Sequence, residues 1–186
     1  MKILIFGASG SGTTTLASEI EKRTDFKHID VDNYYWKKTE PPYQEKIELQ
    51  KRNKNLKADF ESFEKVVVSG SLLNWGKEWQ TSFDLVIFIR LANDLRMERL
   101  KNRERERYGN RLDTDENLQR NSQAFLEWAN KYEDPNFNGR SLRSHKNWLE
   151  LLNCNTLTVD GEAELNDKTN RVLNEIKKFS KDSSIK

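Results

Sequence analysis

Apolar residues fall along this chain in short runs closed by glycine or polar residues: 3–6, 66–68, 85–89 and 157–159, with a weaker run at 26–29. Runs that are continuous rather than alternating predict strands buried on both faces, as in a parallel sheet. Between them the spacing becomes helical. Leu49, Leu56, Phe60 and Phe63 repeat by seven, four and three, and so do Leu165, Val172, Ile176 and Phe179. Each set is predicted to line one face of a helix. A further helix is predicted over 114–132, with Leu118, Phe125, Trp128 and Tyr132 turned inward and Asp113 and Glu116 at capping-box spacing before it. Trp75 and Trp79, four apart, fit a short helix or a packing patch. Strand and helix alternate, the pattern of an α/β fold on a parallel sheet. The Pro41-Pro42 pair is the sharpest break. No repeat or low-complexity linker divides the chain, so one domain over 1–186 is expected, with 180–186 frayed.

Composition narrows the class. The chain has 186 residues, with 32 basic and 30 acidic side chains, a near balance that argues against coating nucleic acid through bulk charge. Nine Phe, five Tyr and five Trp are enough for a core and too many for a disordered chain. Cys154 is the only cysteine, which excludes an internal disulfide and a cysteine-cluster zinc site; His28 and His145 are too few for a histidine-rich metal site. No apolar run approaches the ~18 residues of a membrane helix. The opening run stops at Gly7, shorter than the core of a signal peptide. A soluble, cytoplasmic protein without a membrane partner is expected.

The most specific motif follows the first strand. Gly7, Ala8, Ser9, Gly10, Ser11, Gly12, Thr13 and Thr14 keep the G-x-x-x-x-G spacing of a phosphate-binding loop and open a helix carrying Leu16 and Ile20 on one face. Glycines let backbone N–H groups turn toward a polyphosphate, and the helix N-terminus adds a favourable dipole. Thr14 stands where a hydroxyl ligates Mg²⁺. Thr13 stands where the motif has lysine, so the charge that lysine brings to phosphoryl transfer must come from elsewhere.

Two carboxylates, Asp30 and Asp32, end the second predicted strand, the edge at which open α/β sheets bind ligands. Such a pair can hold a metal-bound water, position an acceptor hydroxyl or take its proton; it can also merely cap a turn. Tyr34, Tyr35 and Trp36 follow, able to stack on a base, wall off an acceptor or pack under an insertion. The third strand ends in Ser69 and Gly70, without the aspartate usual there. Asp84 opens the fourth strand at the opposite edge. Between 96 and 111 lie seven basic residues and three acidic ones, and Arg96, Arg99, Arg103 and Arg107 share one helical stripe. Arginine binds phosphate in a two-pronged way, although Glu98, Glu104 and Glu106 allow a plain solvated helix. A second basic patch, 139–145, opens another helix; its His145 is expected to be structural or on the surface.

The loop, the acidic pair and the arginine region resemble the adenylate kinase and shikimate kinase group of small P-loop kinases. More closely, residues 7–16, 28–36, 69–72 and 139–142 resemble bacterial adenylate-kinase-like topology modulation proteins, over roughly 1–159. The resemblance implies a three-layer α/β/α P-loop NTPase fold. Its parallel sheet would have five strands in the order 2-3-1-4-5, with a substrate-covering insertion near 33–64 and a mobile arginine-rich lid near 103–140. It implies that Asp30 and Asp32 act on the acceptor, that the backbone at Ser69 and Gly70 approaches it, and that Arg99 and Arg103 open the lid. Arg140 and Arg143 match post-lid arginines that contact the transferring phosphate.

These readings give an expected ATP-dependent phosphotransferase acting on a nucleotide or small hydroxylated metabolite. ATP would lie on Gly7 through Thr14 and Mg²⁺ on Thr14 and Asp30. Asp30, Asp32, Arg99, Arg103 and Arg140 would be catalytic, and Asp32, Tyr35, Ser69, Gly70 and Arg143 would face the acceptor. The alternative is a nucleotide-binding sensor without catalysis, suggested by Thr13. Nucleic-acid binding is favoured only by the arginine stripe and the aromatics.

Overall fold

In the computed structural model, which describes residues 1–182, five parallel strands form one sheet in the order β2-β3-β1-β4-β5. They are β1 (Lys2–Gly7), β2 (Lys27–Asp30), β3 (Val66–Ser69), β4 (Leu85–Arg90) and β5 (Asn155–Asp160). Eight helices connect them: α1 (Thr13–Arg23), α2 (Asp32–Tyr35), α3 (Leu49–Ser62), α4 (Asn93–Tyr108), α5 (Arg111–Thr114), α6 (Glu116–Asn130), α7 (Leu142–Glu150) and α8 (Leu165–Asp182). The last helix runs through the first part of the end expected to fray, and 183–186 lie outside the described residues. None of the described helices is long and apolar enough to cross a membrane.

The continuous apolar runs are the three central strands. Alternate side chains go to opposite faces. Leu4, Phe6, Val66, Val68, Val86 and Phe88 meet Leu56 and Phe60 of α3, Trp75, Trp79, Phe83 and Trp148 of α7. Ile3, Ile5, Val67, Leu85, Ile87 and Ile89 meet Leu16, Ala17 and Ile20 of α1 and Val172 and Ile176 of α8. Burial on both faces explains why those runs do not alternate. Of the face predicted for α3, Leu56 and Phe60 are buried, whereas Leu49 and Phe63 are 44% and 43% exposed. They sit at its two ends, beyond the core it covers. The 114–132 helix is broken differently from its prediction. Asp115, not Asp113, caps it, accepting the backbone N–H groups of Asn117 and Leu118. Leu118 and Tyr132 are buried, while Phe125 and Trp128 are only half-buried.

His145 is structural. It is fully buried in α7, with Nδ1 2.9 Å from the Tyr132 hydroxyl and Nε2 3.0 Å from Ser71 Oγ. Burial, assisted by the charge of Arg140, pushes its pKa down to about 3. A histidine in the unfolded chain takes its proton near pH 6.5, so below that pH the unfolded state binds a proton that the folded state does not. Stability from this group is complete above about pH 6.5 and falls by about 1.4 kcal/mol per pH unit down to about pH 3. Urea unfolding at pH 6.5, 5.5 and 4.5 should show a shallower loss for His145→Gln than for the wild type, despite lower stability at pH 7. Equal slopes would contradict a buried neutral histidine.

Candidate active site

Strand register brings the carboxyl ends together. Ile5 of β1 pairs with Ser69 of β3, and Ser69 pairs with Asp30 of β2. β1 then continues to Gly7 and the loop to α1. Gly10 and Gly12 have φ of 84° and 92°, a conformation that favours glycine. A Cβ on Gly10 would also stand 3.0 Å from the Arg96 carbonyl oxygen and from Leu100. The curl leaves space over Gly12 and keeps Ser11 Oγ buried without a partner. Together with the first N–H groups of α1, these features fit a bound polyphosphate.

The Thr14 hydroxyl donates to Asp30 Oδ2 at 3.0 Å, and the other Asp30 oxygen accepts the Asp32 N–H at 3.0 Å. A hydroxyl and a carboxylate facing each other beside the loop are hard oxygen donors of the kind Mg²⁺ takes. Asp32 opens α2. Solvent reaches its side chain, yet surrounding protein crowds it. That crowding raises its pKa, as does the like charge of Asp30, against Arg140, Arg103 and Arg107.

The positive charges felt at Asp32 come from two elements, and none of the three arginines lies within ion-pair distance of it. Arg103 and Arg107 lie on α4; Arg140 immediately precedes the capping box of α7. Each is backed by an aromatic ring: Arg103 by Phe125 at 5.8 Å, Arg107 by Tyr43 at 4.2 Å and Arg140 by Trp128 at 4.9 Å. Phe125 and Trp128, half-buried, thus contact guanidinium groups. Desolvation lowers the pKa of Arg103 and Arg140. Arg107 alone of the three is paired, with Glu104 at 3.1 Å.

Residues 40–44 contact three helices. Glu40 pairs with Arg111 of α5 at 2.7 Å, Tyr108 of α4 donates to the Pro42 carbonyl at 3.2 Å, and Asn121 of α6 donates to Gln44 at 3.0 Å. These contacts tie that segment to α4, α5 and α6.

Other expected site residues are elsewhere. The Arg96–Arg107 stripe is one face of a helix about 24 Å long, so its members meet different surroundings. Arg96 is fully buried, bonding the carbonyls of Ser9 and Ala129, and braces the phosphate loop. Arg99 is exposed, and its charge is felt at Lys168 of α8 instead of at Asp32. Arg143 points to Asn138 at 3.5 Å and is exposed. Ser69 is fully buried: its Oγ lies 2.8 Å from His28 Nε2 and its carbonyl accepts the Val31 N–H. The Gly70 N–H is taken by the Ile5 carbonyl. Tyr35 lies beneath Arg52 of α3. Arg52, Arg107 and Tyr43 were not individually legible, because basic residues on charged helices and a tyrosine beside prolines carry no distinguishing pattern.

A family model described as an AAA domain matches residues 3–124. The chain is 38% identical over 171 residues to the uncharacterized protein YqaC of Bacillus subtilis (strain 168), covering 92% of this chain and 94% of YqaC. Deoxyadenosine kinase from M. mycoides with bound dATP superposes with a TM-score of 0.60 at 19% identity, covering 95% of this chain and all of that one. Shikimate kinase from Bacteroides thetaiotaomicron gives 0.54 at 15% identity, covering 95% and 98%. The fold is that of the P-loop small-molecule kinases. The chain belongs to the AAA-domain family that the matching model describes.

Proposed function

We propose that this protein transfers the γ-phosphoryl group of ATP to a hydroxyl of a nucleotide or small hydroxylated metabolite. The observation that carries the reading is the convergence of Arg103, Arg107 and Arg140 on Asp32, next to the Thr14–Asp30 pair of the phosphate loop. Transfer of this kind rests on positioning and on stabilising charge over the moving phosphoryl group. The loop amides would hold the phosphates. Thr14 and Asp30 would hold Mg²⁺, which when bound neutralises charge on the phosphates. Asp32 takes the proton of the acceptor hydroxyl as that oxygen bonds to phosphorus and the bond to the ADP oxygen breaks. Arg103 and Arg140 supply, from the lid side, the charge that Thr13 cannot. The segment 40–44, tied to α4, α5 and α6, would limit water, which otherwise competes with the acceptor. The names of the structural neighbours, a deoxyadenosine kinase and a shikimate kinase, suit either kind of acceptor.

The test follows ADP formation by purified protein with Mg-ATP against nucleosides, nucleoside monophosphates and small hydroxylated metabolites. Acceptor-dependent ADP is expected from one class, and more of it from Thr13→Lys. If ATP binds but neither protein makes acceptor-dependent ADP, the reading gives way to a nucleotide-binding sensor, which Thr13 favours.

A further inference from the structure

We infer that Tyr43, on the insertion, is a positioning residue. It fixes Arg107 within the set of arginines whose charge acts at Asp32, so that the set is complete only when the insertion is seated on α4. Its effect on turnover rests on the phosphotransferase reading; the arrangement itself does not. Arg103 and Arg140 rest on Phe125 and Trp128, both rings of α6. Arg107 differs. Its guanidinium carbon lies 4.2 Å from the centre of the Tyr43 ring, and its other partners, Glu104 at 3.1 Å and the Tyr108 ring at 5.8 Å, are on α4 itself. Among the described residues, Tyr43 is therefore the one ring, hydrogen-bond or ion-pair contact that reaches Arg107 from outside its own helix. Glu104 accepts from one terminal nitrogen and leaves the other N–H groups of the guanidinium unengaged. A carboxylate on the same helix holds one corner of the plane, and a ring stacked over the face sets its tilt.

The insertion is built to present this ring. Tyr43 has φ of 66°, a left-handed backbone that a bulky side chain rarely adopts. Such a conformation persists where its surroundings hold it, and it gathers at working sites. Here the residues on either side are both tied down, Pro42 through its carbonyl to Tyr108 of α4 and Gln44 to Asn121 of α6. Trp36, at the start of the insertion, meets the Tyr43 ring at 5.9 Å and 87°, an edge-to-face contact that supports it from the side. The ring is thus wedged between a tryptophan and a guanidinium. Arg107 is in turn felt at both Asp32 and Arg103, so a change in its tilt alters the field in which the lid-side charges work. Tyr43 is 38% exposed and belongs to neither core cluster, so its replacement leaves the core intact.

Two measurements on the full chain test this. The first needs no turnover. Phenylglyoxal modifies accessible guanidinium groups, and peptide mass mapping reads each arginine separately. Arg107 should be modified faster in Tyr43→Asn, which removes the ring yet suits a left-handed backbone, than in the wild type or in Tyr43→Phe. The exposed Arg99 and Arg143 should react alike in all three. The second is steady-state kinetics with Mg-ATP and the acceptor that supports ADP formation. Tyr43→Asn should lower kcat by about 10-fold or more, because misplacing a group that stabilises transfer is costly, with KM for ATP little changed. Tyr43→Phe should recover most of the loss. In an Arg107→Met background, Tyr43→Asn should cost nothing further, since both changes remove one device. Equal modification of Arg107 in Tyr43→Asn and the wild type overturns the inference. An intact kcat in Tyr43→Asn overturns it too, as does a loss that persists in full without Arg107. If the wild type forms no acceptor-dependent ADP but Arg107 still depends on Tyr43 for protection, the phosphotransferase falls and the cradle stands. Turnover with equal modification does the reverse.

Discussion

Asp32→Asn is expected to lower kcat by about 10²–10⁴-fold, the usual worth of a positioned general base, with the affinity for ATP changed little. Asparagine keeps the shape and the backbone bond to Asp30 but cannot take a proton. In the wild type the pKa of Asp32 is raised, first by the crowding of surrounding protein and then by Asp30. A raised value makes the carboxylate a stronger base, and it sets where activity fades. The acid limb of kcat/KM should lie above the ordinary carboxylate value of about 3.9, with activity falling as pH drops through it. Asp30, tied to Thr14, is a second carboxylate in the site. The pH profile of Asp32→Asn therefore has to be compared directly, and its residual activity should lack that limb. A full kcat in Asp32→Asn, with an unchanged profile, would show that Asp32 takes no proton.

Arg140→Ala should cost about 10²–10³-fold in kcat, the loss found when one fixed donor to a developing charge is removed. Arg140 is held by Trp128 and acted on by the charge of Asp32, Tyr35 and Tyr132. Arg140→Lys should recover little of the loss, because an ammonium neither stacks as a plane nor donates two parallel bonds. Arg103→Ala should follow the same pattern, lowering kcat more than nucleotide affinity. Steady-state kinetics with both substrates varied separates the two effects. A rise in KM for ATP with kcat intact would make these arginines nucleotide-binding groups only.

Much of the fold was legible because the central strands are buried on both faces and so read as unbroken apolar runs. β2 and β5, at the sheet edges, are partly exposed; β2 read as the weaker run, whereas β5 was marked by 157–159. The phosphate loop was legible for a local reason: glycines at fixed offsets between a strand and a helix answer to backbone geometry within eight residues. The Asp30–Asp32 pair was legible because it ends a strand. The arginines were legible as a group and not as individuals. One stripe on α4 divides into a buried brace at Arg96, an outlying charge at Arg99 and two charges felt at Asp32, Arg103 and Arg107, according to what each turn of the helix meets.

The same division runs through the whole molecule. Sequence alone determined the α/β alternation, the phosphate loop with its missing lysine and the acids beside it, since each depends on neighbours within a few positions. Only the tertiary structure decided which cations face Asp32, that Phe125, Trp128, Tyr35 and Trp75 serve as rests for arginines, and that Ser69 is spent inside the core. Those roles are set by residues far apart in the chain, brought together by strand register and by the faces that helices bury. No local spacing encodes them.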